Sequence, residues 1–158
     1  MIIRNAKLED VNQIVILLKQ VSDIHSTGRP DIFKEKTIEE LKEEYNQCIS
    51  SDERNMIVAE YDGKIKGLVM FKFREIKDNP YKQYNKTLSV SELVVEEKQR
   101  GNGIGKLLLD QIKVIAKQQK CDNIELNCWS FNTRAMKFYK DYGMKEQRVF
   151  YEMKIKGE

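Results

Sequence analysis

The chain has 158 residues, 41% of them apolar and 34% charged, and a formal charge of +3. That length suits one domain with a core of two packed layers, and the mixture is far from the composition of disordered chains. Lys and Arg interleave with Asp and Glu, and the longest apolar runs fall well short of the ~20 residues that span a bilayer, so neither nucleic acid nor membrane is an expected partner.

Residues 2–5 are short and apolar enough for an edge strand, and Leu8, Val11, Ile14, Val15, Leu18 and Val21 then recur at helical spacing. Residues 22–33 contain Gly28 and Arg29-Pro30 without a clean period and read as a loop. Thr37-Ile38-Glu39-Glu40 has the form of a capping box and opens a second helix to about Ser50, with Ile38, Leu41, Tyr45 and Cys48 or Ile49 on its apolar face. Residues 56–61 and 65–74 are β-prone, and Asp62-Gly63 between them is a two-residue hairpin turn. Asn79-Pro80 marks a polar loop before a third β-prone run over residues 88–95. Past a cluster of glycines, Ile104, Leu107, Leu108, Ile112 and Ile115 form one face of a third helix, and residues 124–129 alternate as a strand. Asn132 as N-cap and Gly143 as a left-handed stop bracket a fourth helix, with Ala135, Phe138, Tyr139 and Tyr142 on one side. Val149, Tyr151, Met153 and Ile155 alternate with Phe150, Glu152 and Lys154, which predicts a last strand. This order calls for one α/β (α+β) domain over residues 1–158, a mixed sheet covered by helices rather than a doubly wound fold.

Cys48, Cys121 and Cys128 are odd in number, and neither they nor the single His25 have zinc-binding spacing, so no disulfide and no metal is expected. Met1 leads into Ile2-Ile3-Arg4 without the pattern of an export leader, which makes the cytoplasm the expected location.

Arg100-Gly101-Asn102-Gly103-Ile104-Gly105 joins the third β-prone run to the third helix. Glycines bring several backbone N–H groups close to an anion, and the helix N-terminus adds partial positive charge, so a phosphate is the natural guest. The P-loop pattern fails because Arg100 stands at its first glycine and Leu107 at its hydroxyl position; the dinucleotide fingerprint fails because Lys106 replaces its third glycine.

The run Glu92-Leu93-Val94-Val95, a four-residue gap, and then Arg100, Gly103 and Gly105 resemble the coenzyme A signature of the GCN5-related N-acetyltransferase (GNAT) superfamily. A second segment, Asn132, Ala135, Phe138-Tyr139 and Gly143-Met144, is similar to that family's Asn, Ala, Phe-Tyr and Gly-Phe pattern, with Met144 in place of Phe. The resemblance implies a central mixed, mostly antiparallel sheet of six to seven strands flanked by about four helices. It implies acetyl-CoA as cosubstrate, an amine acceptor, and direct attack in a ternary complex; a homodimer is compatible with it. Leu93, Val94 and Val95 would pair through their backbone with pantetheine, and Arg100, Gly101, Asn102, Gly103, Ile104, Gly105 and Lys106 would hold the pyrophosphate.

Such a transfer needs a free amine lone pair, a donor for the developing oxyanion and a proton for the departing thiolate. A backbone N–H at Val94 or Val95 suits the oxyanion. Tyr139, at the family's general-acid position, suits the thiolate because a phenol of pKa ~10 is protonated at neutral pH. Glu92 is the best-placed carboxylate for the amine's proton, and Asn132 would cap its helix and contact the cofactor along with Tyr139. His25, Arg29 and Phe33 fall in the region where the family binds its acceptor. Residues 22–36 and 77–86 are the variable acceptor loops, and Lys77, Lys82 and Lys86 favour an acceptor with an anionic group. The competing reading from another class is a non-catalytic acyl-CoA-binding sensor, against which the retained Tyr139 argues.

Overall fold

The computed structural model describes residues 1–51 and 54–155. The backbone divides into two compact units, Met1–Asn127 and Cys128–Glu158.

The first unit holds strands β1 (Ile2–Asn5), β2 (Asn55–Tyr61), β3 (Lys64–Ile76), β4 (Asn85–Val95) and β5 (Asn123–Leu126), with helices α1 (Val11–Gly28), α2 (Ile38–Ile49) and α3 (Ile104–Gln118). The strands lie in the order β1-β2-β3-β4-β5, antiparallel except for the parallel β4–β5 pair. Asp62 and Gly63 take φ of 50° and 69°, the double positive value that a type I′ hairpin turn demands. On one face of the sheet α1 and α2 bury Ile14, Val15, Leu17, Leu18, Leu41 and Tyr45 against Met56, Val58, Leu68, Met70 and Val94. On the other, Ile104, Leu108, Ile112 and Ala116 of α3 pack on Ile57, Val69, Phe71, Leu88 and Val90. The α3 face differs from its sequence reading, since Leu107 is 45% exposed while Leu109 is 2% exposed.

Helix α2 opens as its capping box predicts: Glu40 N–H donates to Thr37 Oγ1 at 3.2 Å, and Thr37 N–H donates to Glu40 Oε2 at 2.7 Å. The start of α1 rests on a charged knot that sequence reading missed. Buried Asp10 accepts from Arg4 at 2.7 and 2.9 Å and from Lys7 N–H at 2.8 Å, and Arg4 also donates to Glu60 at 2.6 Å. The Arg4 guanidinium holds the Asp10 carboxyl below the usual carboxylate range.

Two further expectations for this unit are corrected. Residues 22–28 continue α1 rather than forming a loop, because the preceding turns are already packed against the sheet through Ile14, Val15, Leu17 and Leu18, and Ser26 is buried along with them. Leu8 lies in a 3-10 turn and is exposed, so it is not part of the helix's apolar stripe.

In the second unit α4 (Thr133–Asp141) begins at Asn132, whose side chain accepts from Ala135 N–H at 3.2 Å, and it is followed by Gly143 at φ 97°. The strand expected over residues 124–129 ends at Leu126, leaving Cys128 half-buried beyond it with its thiol directed at Trp129 O and Asn132 O. The last expected strand does not form: residues 145–155 adopt no regular structure, and Val149, Phe150, Tyr151, Met153 and Ile155 are exposed. Alternation makes a segment able to pair, but only an edge at the right register makes it a strand. Among the described residues the sheet therefore has five strands, within the expected mixed, mostly antiparallel class.

Candidate active site

A cavity of about 640 Å³ opens on the α1/α2 face of the sheet, within the size range of small-molecule sites. Leu18, Val21, Ser22 and His25 line it from α1, and Leu41, Glu44, Tyr45 and Cys48 from α2, each set repeating at i, i+3, i+4 and i+7. The floor is Met70 and Lys72 of β3 with Ser91 and Glu92 of β4, and the rim includes Ile32, Phe33, Lys34, Lys36 and Arg54. His25 stacks on Phe33 at 5.1 Å, and its burial pushes the imidazole below its ordinary value, towards the neutral form. Tyr45 donates to Lys7 O at 2.8 Å, and burial raises its phenol to about 12, so it stays protonated.

Glu92 reaches this cavity because of a β-bulge. Met70 pairs with Glu92 and Phe71 with Val90, leaving Ser91 as the extra residue, its hydroxyl donating to Met70 O at 3.2 Å. Before the bulge Leu88 and Val90 face α3; after it Leu93 and Val95 do, and Glu92 and Val94 face α1 and α2. Strict alternation from Val90 would have pointed Glu92 at the apolar α3 side; one inserted residue re-aims it. In the cavity its carboxyl is pushed up to about 7 by burial.

Among the described residues, no strand pairs with the β5 side of β4 beyond Val90. β5 pairs with β4 from Thr87 to Val90 and stops at Leu126, so β4 runs on past its last parallel partner. Glu96 N–H donates to Lys66 O at 2.8 Å on the β3 side. Backbone direction alternates along a strand, which turns the amide and carbonyl groups of Leu93 and Val95 away from β3 and towards the β5 side. Val94 points the opposite way, its carbonyl oxygen 2.9 Å from where a Cβ on Gly67 would lie. Arg100 Nε donates to Val95 O at 3.3 Å, tying the glycine turn to the end of the strand.

In that turn Gly101 and Gly103 have φ of 84° and 80°, and no atom lies within 4 Å of where their Cβ atoms would stand. Helical bonding in α3 begins with Leu107 N–H to Gly103 O at 3.0 Å, so the N–H groups of Ile104, Gly105 and Lys106 precede it. Open space, positive-φ glycines and leading helix N–H groups suit a pyrophosphate, and the edge of β4 beyond the end of β5 suits the amides of a pantetheine arm.

Of the residues singled out from sequence, His25, Phe33 and Glu92 come together in the cavity, while Leu93, Val95, Arg100 and the glycines share the edge and turn that continue from it. Arg29 is engaged with Asp31 through two bonds of 2.8 Å and does not line the cavity. Residues 77–84 do not line it either; Lys77 pairs with Glu75 at 3.1 Å, and Lys86 lies over the Phe73 ring at 5.8 Å. Asn132 and Tyr139 belong to the second unit, Asn132 as the α4 cap and Tyr139 half-buried with its ring 5.3 Å from that of Phe138. Lys72, Arg54 and the α2 face were missed, because an i, i+3, i+4, i+7 stripe reads as core whether it meets a neighbour or a cavity.

A sequence model of the acetyltransferase (GNAT) family matches residues 18–144. An N-alpha-acetyltransferase of Sulfurisphaera tokodaii is 29% identical over 161 residues, spanning 99% of this chain and 87% of its own length. The crystal structure of a variant of the BH1408 protein of Bacillus halodurans superposes with a TM-score of 0.92 at 30% identity, over 98% of this chain and 99% of that one. The aminoglycoside N-acetyltransferase AAC(6')-Iy, solved in complex with CoA, shares the fold with a TM-score of 0.75 at 17% identity, over 98% and 94% of the two chains.

Proposed function

The chain belongs to the acetyltransferase (GNAT) family, matched over residues 18–144, and from that premise we propose that it moves an acetyl group from acetyl-CoA to a primary amine by direct attack in a ternary complex. The observation that carries this reading is the convergence of three features on β4: the half-buried Glu92 carboxyl in the cavity, the edge at Leu93 and Val95 beyond the end of β5, and the glycine turn tied back by Arg100.

Bound acetyl-CoA supplies the activated acyl thioester. Arg100, Gly101, Asn102, Gly103, Ile104, Gly105 and Lys106 hold its pyrophosphate through backbone N–H groups, and Leu93 and Val95 pair with its pantetheine. The Val95 N–H is the better directed of the two amides expected to meet the oxyanion, since Val94 turns its backbone to β3. Asn132 and Tyr139 complete the cofactor site in this reading, on the strength of the second sequence motif.

Glu92 takes the amine's proton. Each pKa unit is ~1.36 kcal/mol, so raising the carboxyl from its ordinary value to about 7 removes on the order of 3 kcal/mol from the uphill transfer. An α-amino group of pKa ~8 lies within about one unit of such a base, whereas a lysine-like amine of pKa ~10.4 does not. The name of the Sulfurisphaera tokodaii relative, N-alpha-acetyltransferase, agrees with an α-amine acceptor. His25 and Phe33 bound the acceptor, and Tyr139 protonates the leaving thiolate.

Thiol release from acetyl-CoA in the presence of small peptides with free N-termini tests the reading. Tyr139→Phe keeps the ring and deletes the proton, so kcat falls by about 10²- to 10⁴-fold with the KM for acetyl-CoA nearly unchanged. Tight CoA binding with no thiol release from any amine would leave the non-catalytic sensor as the better account.

A further inference from the structure

Resting on the acyl-transfer reading above, we infer that the acceptor carries a carboxylate in addition to its amine, and that Lys72, Arg54 and Lys34 at the cavity receive it. The cavity is lined by four basic side chains, Lys34, Lys36, Arg54 and Lys72, against the two carboxylates Glu44 and Glu92. Lys36 pairs with Glu44. That leaves three cations with no carboxylate within 4.0 Å among the described residues, around a hollow whose remaining acid is Glu92.

Scattered surface lysines are ordinary, and an exposed pair contributes little. These three differ in being collected on one concavity whose interior is apolar, with Leu18, Val21 and Met70 in its lining. Lys72 projects from the middle of β3, a rigid strand, and Arg54 offers a planar fork that matches a carboxylate. A ligand complementary to this arrangement has an amine for Glu92, an apolar stretch for the lining and a negative group for the cations. A diamine such as a polyamine would meet like charge there. The charge lies at these cavity residues and not at Lys77 and Lys82 of the loop or Lys86 at the start of β4. The carboxylate has two sources, the free C-terminus of a short amino compound or an acidic side chain in a longer peptide.

Two matched sets separate the sources. One is the dipeptide Ala-Leu as free acid and as amide; the other is Ala-Leu-Glu-amide beside Ala-Leu-Gln-amide and Ala-Leu-Lys-amide. The expected result is a kcat/KM at least about ten-fold higher for the carboxylate member of one set, weakened by added salt. In the Arg54→Gln, Lys72→Gln double variant that ratio falls to within about three-fold, and Lys72→Arg restores it. Whichever set shows the preference names the source. Calorimetric binding of the acetylated products, free acid against amide, reads the same preference without turnover. Carboxylate-selective binding that depends on Lys72 and Arg54, with no amine acetylated, upholds anion recognition and sinks the transfer reading. Transfer to amide or lysine members as good as to the carboxylate members overturns this inference and leaves the transfer reading standing. No carboxylate preference in either turnover or binding also overturns it.

Discussion

Two buried or half-buried carboxylates in the first unit behave in opposite ways because of what stands beside them. Asp10 is met by Arg4 and a backbone N–H and is held low, whereas Glu92 has burial alone and rises to about 7. For Glu92 the folded value lies above the unfolded one of ~4.3, so between those values the native chain holds more protons than the unfolded chain. Stability is therefore lost as pH rises through that window. Glu92→Gln removes the burden and should stabilise the protein by about 1–2 kcal/mol at about pH 8, allowing for the open mouth of the cavity, and by little at about pH 4. Urea melts at the two pH values check it, and an equal effect at both would show that the carboxyl is not held protonated by its surroundings. In kinetics the same substitution should abolish the limb near pH 7 in kcat/KM. The residue type was legible in the sequence; the direction it faces was not, because a bulge at Ser91 leaves no mark in composition or periodicity.

Among elements, the glycine turn leading into α3 was the most legible. Three glycines in five residues after a β-prone run specify both the tight backbone and the helix start, and Gly101 and Gly103 do adopt positive φ. Gly103→Val places a branched side chain at φ 80° in the open space above the turn. It should weaken CoA binding at least about ten-fold, ~1.4 kcal/mol, as measured by calorimetry on a chain whose circular dichroism is unchanged. A folded variant with parental affinity would move the pyrophosphate elsewhere. Helix α2 was equally legible through Thr37 and Glu40, whose reciprocal bonds depend only on residues three apart. The C-terminal half of α1 was not: Ser22, Asp23 and Ser26 have loop-like propensities, and packing of the preceding turns carried the helix through them.

At the scale of the whole chain, ligand linkage offers a test that needs no acceptor. CoA at a hundred times its Kd adds ~2.7 kcal/mol to the native state, which for a chain of this size is a rise of roughly 5–10 °C in melting midpoint. ATP, for which the glycine spacing is wrong, should leave the midpoint where it is. Equal stabilisation by both would reduce the site to a general phosphate cradle. The amino-acid order alone established what local rules govern: the order of strands and helices as far as α4, the hairpin at Asp62-Gly63, the caps at Thr37 and Asn132, the glycine turn, and a family resemblance carried by two short motifs. Tertiary structure decided what depends on partners distant in sequence. It chose the side of the sheet that Glu92 faces, ended β5 short of the end of β4, gathered Lys72 and Arg54 around one hollow, and left residues 149–155 without a ladder despite their alternation. Periodicity reports which side chains share a face, but register, bulges and edges are set by which strands meet, and that information is nonlocal.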